Sequence, residues 1–227
     1  MSYPIKLSVK SEFVPIILLI ASWILSFYFY AHFPASVPVH WNFAGEANRY
    51  GSRAEGAFAI PAILTGMYAL FLALPWLDPR GERYAEFGRV YHFIKAAIIA
   101  VMSGVYAISG LASLGFPVRV NVAVPWLIGI LLIILGNYMG KIKRNWFVGV
   151  RTPWTLSSEN VWNKTNRFGG FMMMLFGLCV IVSPALPQAL GMALFILGAL
   201  LAVVGTLAYS FILYKLERKK AGDVIVR

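Results

Sequence analysis

Six long runs of apolar residues, separated by polar or proline-bearing connections, limit what this chain can fold into. The hydrocarbon core of a bilayer asks for about 20 apolar residues in a helix. The runs at 13–33, 56–77, 96–116, 120–140, 168–187 and 190–214 are that long. Strands of a membrane barrel would alternate in polarity over about 10 residues, and these runs do not alternate. The chain has 227 residues, of which 59% are hydrophobic and 13% charged. Soluble domains hold roughly 45–50% apolar and about 25% charged residues. The predicted fold is an all-α integral membrane protein with six transmembrane helices. The first run exceeds the roughly 7–15 apolar residues of a signal peptide and reads as an uncleaved anchor.

The net charge of +11 is explained by membrane sidedness. Lys6 and Lys10 precede the first run. Arg80, Arg83, Arg89 and Lys95 follow the second. Lys141, Lys143, Arg144, Arg151, Lys164 and Arg167 follow the fourth, and Lys215, Arg218, Lys219, Lys220 and Arg227 close the chain. The alternate connections hold only Arg49, Arg53 and Arg119. The positive-inside rule then places both termini in the cytoplasm and makes the chain three helical hairpins in the plasma membrane. Anionic lipid headgroups account for the basic excess, so no nucleic-acid binding is expected. Two regions are expected: residues 1–90 with two spans and an outer loop, and 91–227 with four spans and a cytoplasmic loop. Small residues four apart, at Gly198, Ala202 and Thr206 and at Ser103–Ala107 and Ser109–Ser113, read as packing seams. Lys95 and Glu55 fall near span ends, where they are expected to snorkel. His92 reads as interfacial and Cys179 as a small packing residue.

The outer connection reads PASVPVHWNFAGEANRYGSRAEG. Pro34 and Pro38 stop a helix, and Gly45 and Gly51 supply turns. Between them His40, Trp41, Asn42, Glu46 and Asn48, with Gly45, form a candidate ligand contact surface. The alternative is purely structural: Trp41 and Tyr50 at headgroup level, His40 and Asn42 tying the turn. Three scattered histidines and one cysteine give no metal set. No catalytic residue is assigned, because His40 and Glu46 lack a nucleophile or partner motif. No cofactor is expected.

The fourth connection carries NWFVGVRTPWTLSSENVWNKTNRF from Asn145. Asn137, at the end of the preceding span, can bond a neighbouring helix. Gly149 permits a turn, and Thr152 before Pro153 is turned away from helix. Ser157 or Ser158 can cap a new helix with Glu159 in its first turn. Val161, Trp162 and Thr165, three and four apart, read as the membrane-facing stripe of an interfacial helix. Asn145, Arg151, Trp154, Asn163 and Asn166 exceed what a lipid-facing link needs. They fit either a re-entrant loop satisfied by its own side chains or a partner-binding surface.

Gly136, Asn137, Met139, Asn145, Gly149, the run Arg151, Thr152, Pro153, Trp154, Thr155 and Leu156, then Glu159, Val161, Trp162, Asn166, Arg167 and Phe168 together resemble the signature of the SdpI immunity-protein family. The PVHWN stretch with Gly45, Glu46 and Asn48 resembles the uncharacterised domain that often precedes it. The resemblance implies a bacterial six-span protein that protects a producing cell from a secreted toxic peptide and holds a small repressor at the membrane. It implies a non-enzymatic binding protein, with the peptide met outside and the repressor inside. The competing reading is a small transporter or channel. Against it stands the near absence of ionisable groups from the spans.

Overall fold

The computed structural model describes residues 3–225, with side chains through residue 220. Arg227, one of the basic tail residues, lies outside the described residues. The helices are α1 (Val9–His32), α2 (Arg53–Leu77), α3 (Tyr84–Ser113), α4 (Val120–Met139), the short α5 (Pro153–Ser157), α6 (Glu159–Val182), α7 (Gln188–Leu200) and α8 (Thr206–Ile225). A π-helical turn at Leu201–Gly205 joins α7 to α8 in one rod. Among the described residues six helical segments, that rod included, are long and apolar enough to cross a membrane. Apolar side chains point outward, as lipid requires: Ile24 is 66% and Leu197 59% exposed, while Lys95 is 1% exposed.

The outer connection departs from the all-α expectation. It folds into strands β1 (Ser36–Trp41) and β2 (Ala47–Ser52), paired antiparallel with Ser36 opposite Ser52 and Trp41 opposite Ala47. The ladder shifts register on either side of His40. Pro38 has no N–H for a regular ladder, so the irregularity falls beside it. Buried Val37 alternates with exposed Ser36, the period-two pattern of a half-buried strand.

The closest helix packing joins α4 to α6. Gly129 faces Gly177, and Gly136 faces Gly170. A Cβ on Gly129 would stand 2.6 Å from the Gly177 carbonyl oxygen, and one on Gly177 2.7 Å from that of Gly129. Gly136 and Gly170 meet each other's carbonyls in the same way. The two antiparallel helices thus touch backbone to backbone. Gly136→Leu is expected to cost about 1–3 kcal/mol through overpacking, read as a lowered melting temperature in detergent. An unchanged melt would mean that the pair tolerates a side chain there. The predicted seam in the sixth span also packs on α6, with Gly198 against Phe176 and Cys179 and with Thr206 against Gly169. Cys179 is only partly buried.

Three sequence expectations are corrected. Lys95 does not snorkel. Its Nζ donates to both carboxylate oxygens of Glu12, at 2.7 and 2.6 Å, inside the α1–α3 contact. Tyr68 adds a hydroxyl donor at 2.8 Å and Ser11 another at 2.9 Å. His92 is packed into the same contact, its Nδ1 3.3 Å from Glu12. Glu55, by contrast, keeps its carboxylate part-exposed and paired with Arg49. Val161, Trp162 and Thr165 do not face lipid: all are fully buried, and they begin α6 itself. The stripe has helical spacing, but the glycine-lined face of α4 and the following loop, not the membrane, cover it.

Candidate functional site

The helix ends sort the polar features into two groups. At one end α1, α3 and α6 finish and α2, α4 and α7 begin, under the β1–β2 hairpin. Tyr106 donates to the Ala57 carbonyl at 2.6 Å, and Ser113 to that of Pro38 at 3.3 Å. The first bond ties α3 to α2, and the second fixes the β1 end of the hairpin on α3. Gly45 closes the turn with φ +85°, a conformation that side chains resist. Asn42 ties it further: its Oδ1 accepts from the Glu46 N–H and its Nδ2 donates to the Glu46 carboxylate, both at 2.9 Å. His40 Nδ1 lies 2.6 Å from Asn48 Oδ1 across the strands. The hairpin tip then reaches the far side of the bundle, where Gly45 abuts Asn121 of α4 and the Phe43 ring meets Phe195 of α7 edge-on at 6.3 Å.

Beneath the hairpin lies a cavity of about 750 Å³. Apolar walls come from Phe33, Val37, Ile60, Ile63, Val105 and Val124, with Asn121 and Gln188 among the polar lining groups. Of the outer residues singled out in the sequence, His40, Trp41, Asn42 and Gly45 line this cavity. Glu46 and Asn48 are exposed and serve the turn. Asn121, Gln188, Ser109 and the Arg49–Glu55 pair also line it, and nothing in the sequence marks them as site residues. They come from five different strands and helices, with no shared spacing.

At the opposite end the NWFVGVRTPWTL segment is a knot built on amides. Asn145 is fully buried. Its Nδ2 donates to the carbonyls of Lys143 and Val148, both at 2.8 Å. Its Oδ1 accepts from the N–H groups of Phe147 at 2.8 Å and Val148 at 2.6 Å. Asn166 does the same from α6, accepting from the Val150 N–H at 2.8 Å and donating to the Trp162 carbonyl at 3.0 Å. Trp162 Nε1 donates to the Ile142 carbonyl at 2.8 Å. Gly149, at φ +110°, lies so close that a Cβ would stand 2.6 Å from Asn166 Oδ1. Thr152 caps α5 in a reciprocal box with Thr155, and Pro153 sits in its first turn. Trp154 packs edge-on against Phe211 of α8.

These bonds satisfy an irregular backbone from within, as one of the two sequence readings required. Arg151 is exposed and donates to the Trp146 carbonyl at 2.8 Å. Arg167 is exposed. Asn137 is exposed too, so the helix bond expected of it is not made among the described residues.

Asp78, between α2 and α3, is a member of this site that the sequence did not reveal. It is buried and accepts from the Trp146 N–H at 2.9 Å, the Tyr84 hydroxyl at 3.1 Å and the Arg80 N–H at 2.8 Å. Arg83 reaches Glu159 of α6 with two bonds, at 3.2 and 2.6 Å. Ser158 donates to Glu217 of α8 at 2.8 Å. At this end the N-terminal segment is pinned by Tyr3, whose hydroxyl donates to the Leu72 carbonyl at 2.7 Å. Burial, with Glu12 nearby, pushes the Tyr3 phenol above its ordinary value. Among the described residues no group of three His, Cys, Asp or Glu could hold a metal ion.

A known protein is similar in sequence along most of the chain, and two family models match parts of it. Residues 141–210 match the SdpI/YfhL protein family, and residues 17–65 match a domain of unknown function, DUF1648. The immunity protein SdpI of Bacillus subtilis (strain 168) is 27% identical over 206 residues, which cover 91% of this chain and 97% of that protein. No solved structure matches. The first match takes in the amide knot and the second the hairpin, and with six helices long and apolar enough to cross a membrane the chain is a multi-pass membrane protein that resembles the SdpI/YfhL family over residues 141–210.

Proposed function

We propose that this protein confers immunity to a secreted toxic peptide, without enzymatic chemistry, from the plasma membrane. The single observation behind this reading is the identity to an immunity protein across nine-tenths of the chain, hairpin and amide knot included. The three helical hairpins then stand with both termini and the amide knot in the cytoplasm, in keeping with the basic residues gathered at that end. The β1–β2 hairpin faces outward and meets the peptide, with His40, Trp41, Asn42, Gly45, Glu46 and Asn48 at the contact. Inside, the exposed Arg151 and Arg167, with half-exposed Trp146, offer a basic aromatic surface to a small repressor protein. For such a signal to cross the bundle, the peptide must bind one arrangement of the helices better than another.

Expression in a sensitive cell challenged with medium conditioned by Bacillus subtilis is the test. Survival above that of cells without the protein is expected. Equal killing of both would end the immunity reading for that peptide. A small transporter or channel is the second reading, favoured by one observation: the Glu12–Lys95 pair places ionisable groups inside the bundle. Saturable ion flux in liposomes would put it first.

A further inference from the structure

We infer that the cavity under the β1–β2 hairpin binds an uncharged, apolar stretch of peptide chain. The inference deepens the immunity reading and rests on it. Its first support is the wall, apolar over α2, α3 and α4 at Ile60, Ile63, Val105 and Val124. Burying side chains against such a wall is favourable by about 25 cal/mol per Å². The second support is charge. The ionic groups in the lining, Arg49 and Glu55, are paired with each other. They present no net charge, and a charged ligand would have to break that pair.

The third support separates a peptide from a lipid tail. Asn121 and Gln188 stand exposed at the cavity's rim beside the half-buried Trp41 indole, so an occupant that covers them must replace the water they bond or leave polar groups buried at a cost. An acyl chain has nothing to offer them. A peptide main chain brings one donor and one acceptor per residue, and the two amides offer both in return. The volume of about 750 Å³ falls within the roughly 300–1,000 Å³ typical of ligand pockets, room for several large side chains. The Phe43 and Gly45 contacts to α7 and α4 bring the hairpin across this space, and peptide seated there would be covered by it.

Photolabelling of the full chain in nanodiscs tests the inference. The probe is a short capped peptide of leucine, phenylalanine and glycine carrying a diazirine-modified leucine. Two comparison probes are used: the same peptide with glutamates replacing half the leucines, and a diazirine-bearing phosphatidylcholine. The expected result is adducts from the uncharged peptide on the cavity-lining parts of α2 and α4, competed by unlabelled peptide, and lost on filling the space with Ser109→Trp or, from another wall, Ala59→Phe.

Labelling of these walls by the lipid alone, equal labelling by the glutamate peptide, or peptide adducts only elsewhere would overturn the inference. These wild-type outcomes do not depend on whether either variant folds. A chain that protects cells yet takes no peptide in the cavity sinks this inference and leaves the immunity reading intact. One that takes peptide but protects no cell does the reverse.

Discussion

Lys95→Met is expected to destabilise the protein by about 3–5 kcal/mol, the loss that follows when one member of a buried ion pair is removed. The reason is what remains. Glu12 is 9% exposed and Lys95 1% exposed, so without the ammonium the carboxylate stays among apolar helices with Tyr68 and Ser11 as donors and the His92 ring 3.3 Å away. The α1–α3 contact must then open to water or take up a proton. Reversible unfolding in mixed micelles would read the loss directly. The double variant Glu12→Gln, Lys95→Met removes both charges and is expected to recover most of it, since a neutral pair of similar volume carries no such desolvation penalty. A single variant as stable as the parent would show that the pair is not buried in the membrane-embedded protein. A double variant no better than the single would assign the cost to lost packing instead.

Asn145→Ala is expected to cost roughly 3 kcal/mol, because each buried polar group left unsatisfied costs about 1–3 kcal/mol. Four main-chain groups, the N–H of Phe147 and Val148 and the carbonyls of Lys143 and Val148, lose their partner together. Some will find one another or water, which keeps the total below the sum. Arg151→Ala removes one exposed bond to Trp146 and is expected to lower the melting temperature far less. Limited proteolysis between Lys141 and Arg151 should follow the same order. Equal stability of Asn145→Ala and its parent would mean that the knot is held by packing around Trp162 alone.

Much of this architecture could be read from the chain. Six apolar runs give six rods because hydrophobic length is a local property. The amide-rich loop was marked by its excess of Asn and Trp, although whether it bound itself or a partner had to wait for the hydrogen bonds of Asn145 and Asn166. Other features are nonlocal. Glu12 stands at the polar edge of the first apolar run, and its partner lies 83 positions away. The PVHWN stretch looked like a turn broken by prolines, because two irregular strands of six residues give too short an alternation to outweigh Pro34 and Pro38. Small residues four apart do not mark the glycines of α4 and α6. In each helix the paired glycines lie two turns apart, and only the facing helix shows that they meet. The stripe of Val161, Trp162 and Thr165 had the right period but the wrong neighbour, since spacing shows that one face is apolar without saying whether lipid or protein covers it. The cavity is a shape between helices from both halves of the chain, and no single segment encodes it.

The glycine contacts of α4 and α6 have a mechanical consequence. With no side chains cushioning the two backbones at those points, neither helix can roll or slide on the other without driving carbonyls into α-carbons. The pair behaves as a keel. Any flexing of the molecule must therefore take place around it, either where the α1–α3 group leans on α4 or in the outer rod, whose π-helical turn offers looser winding than the helix on either side.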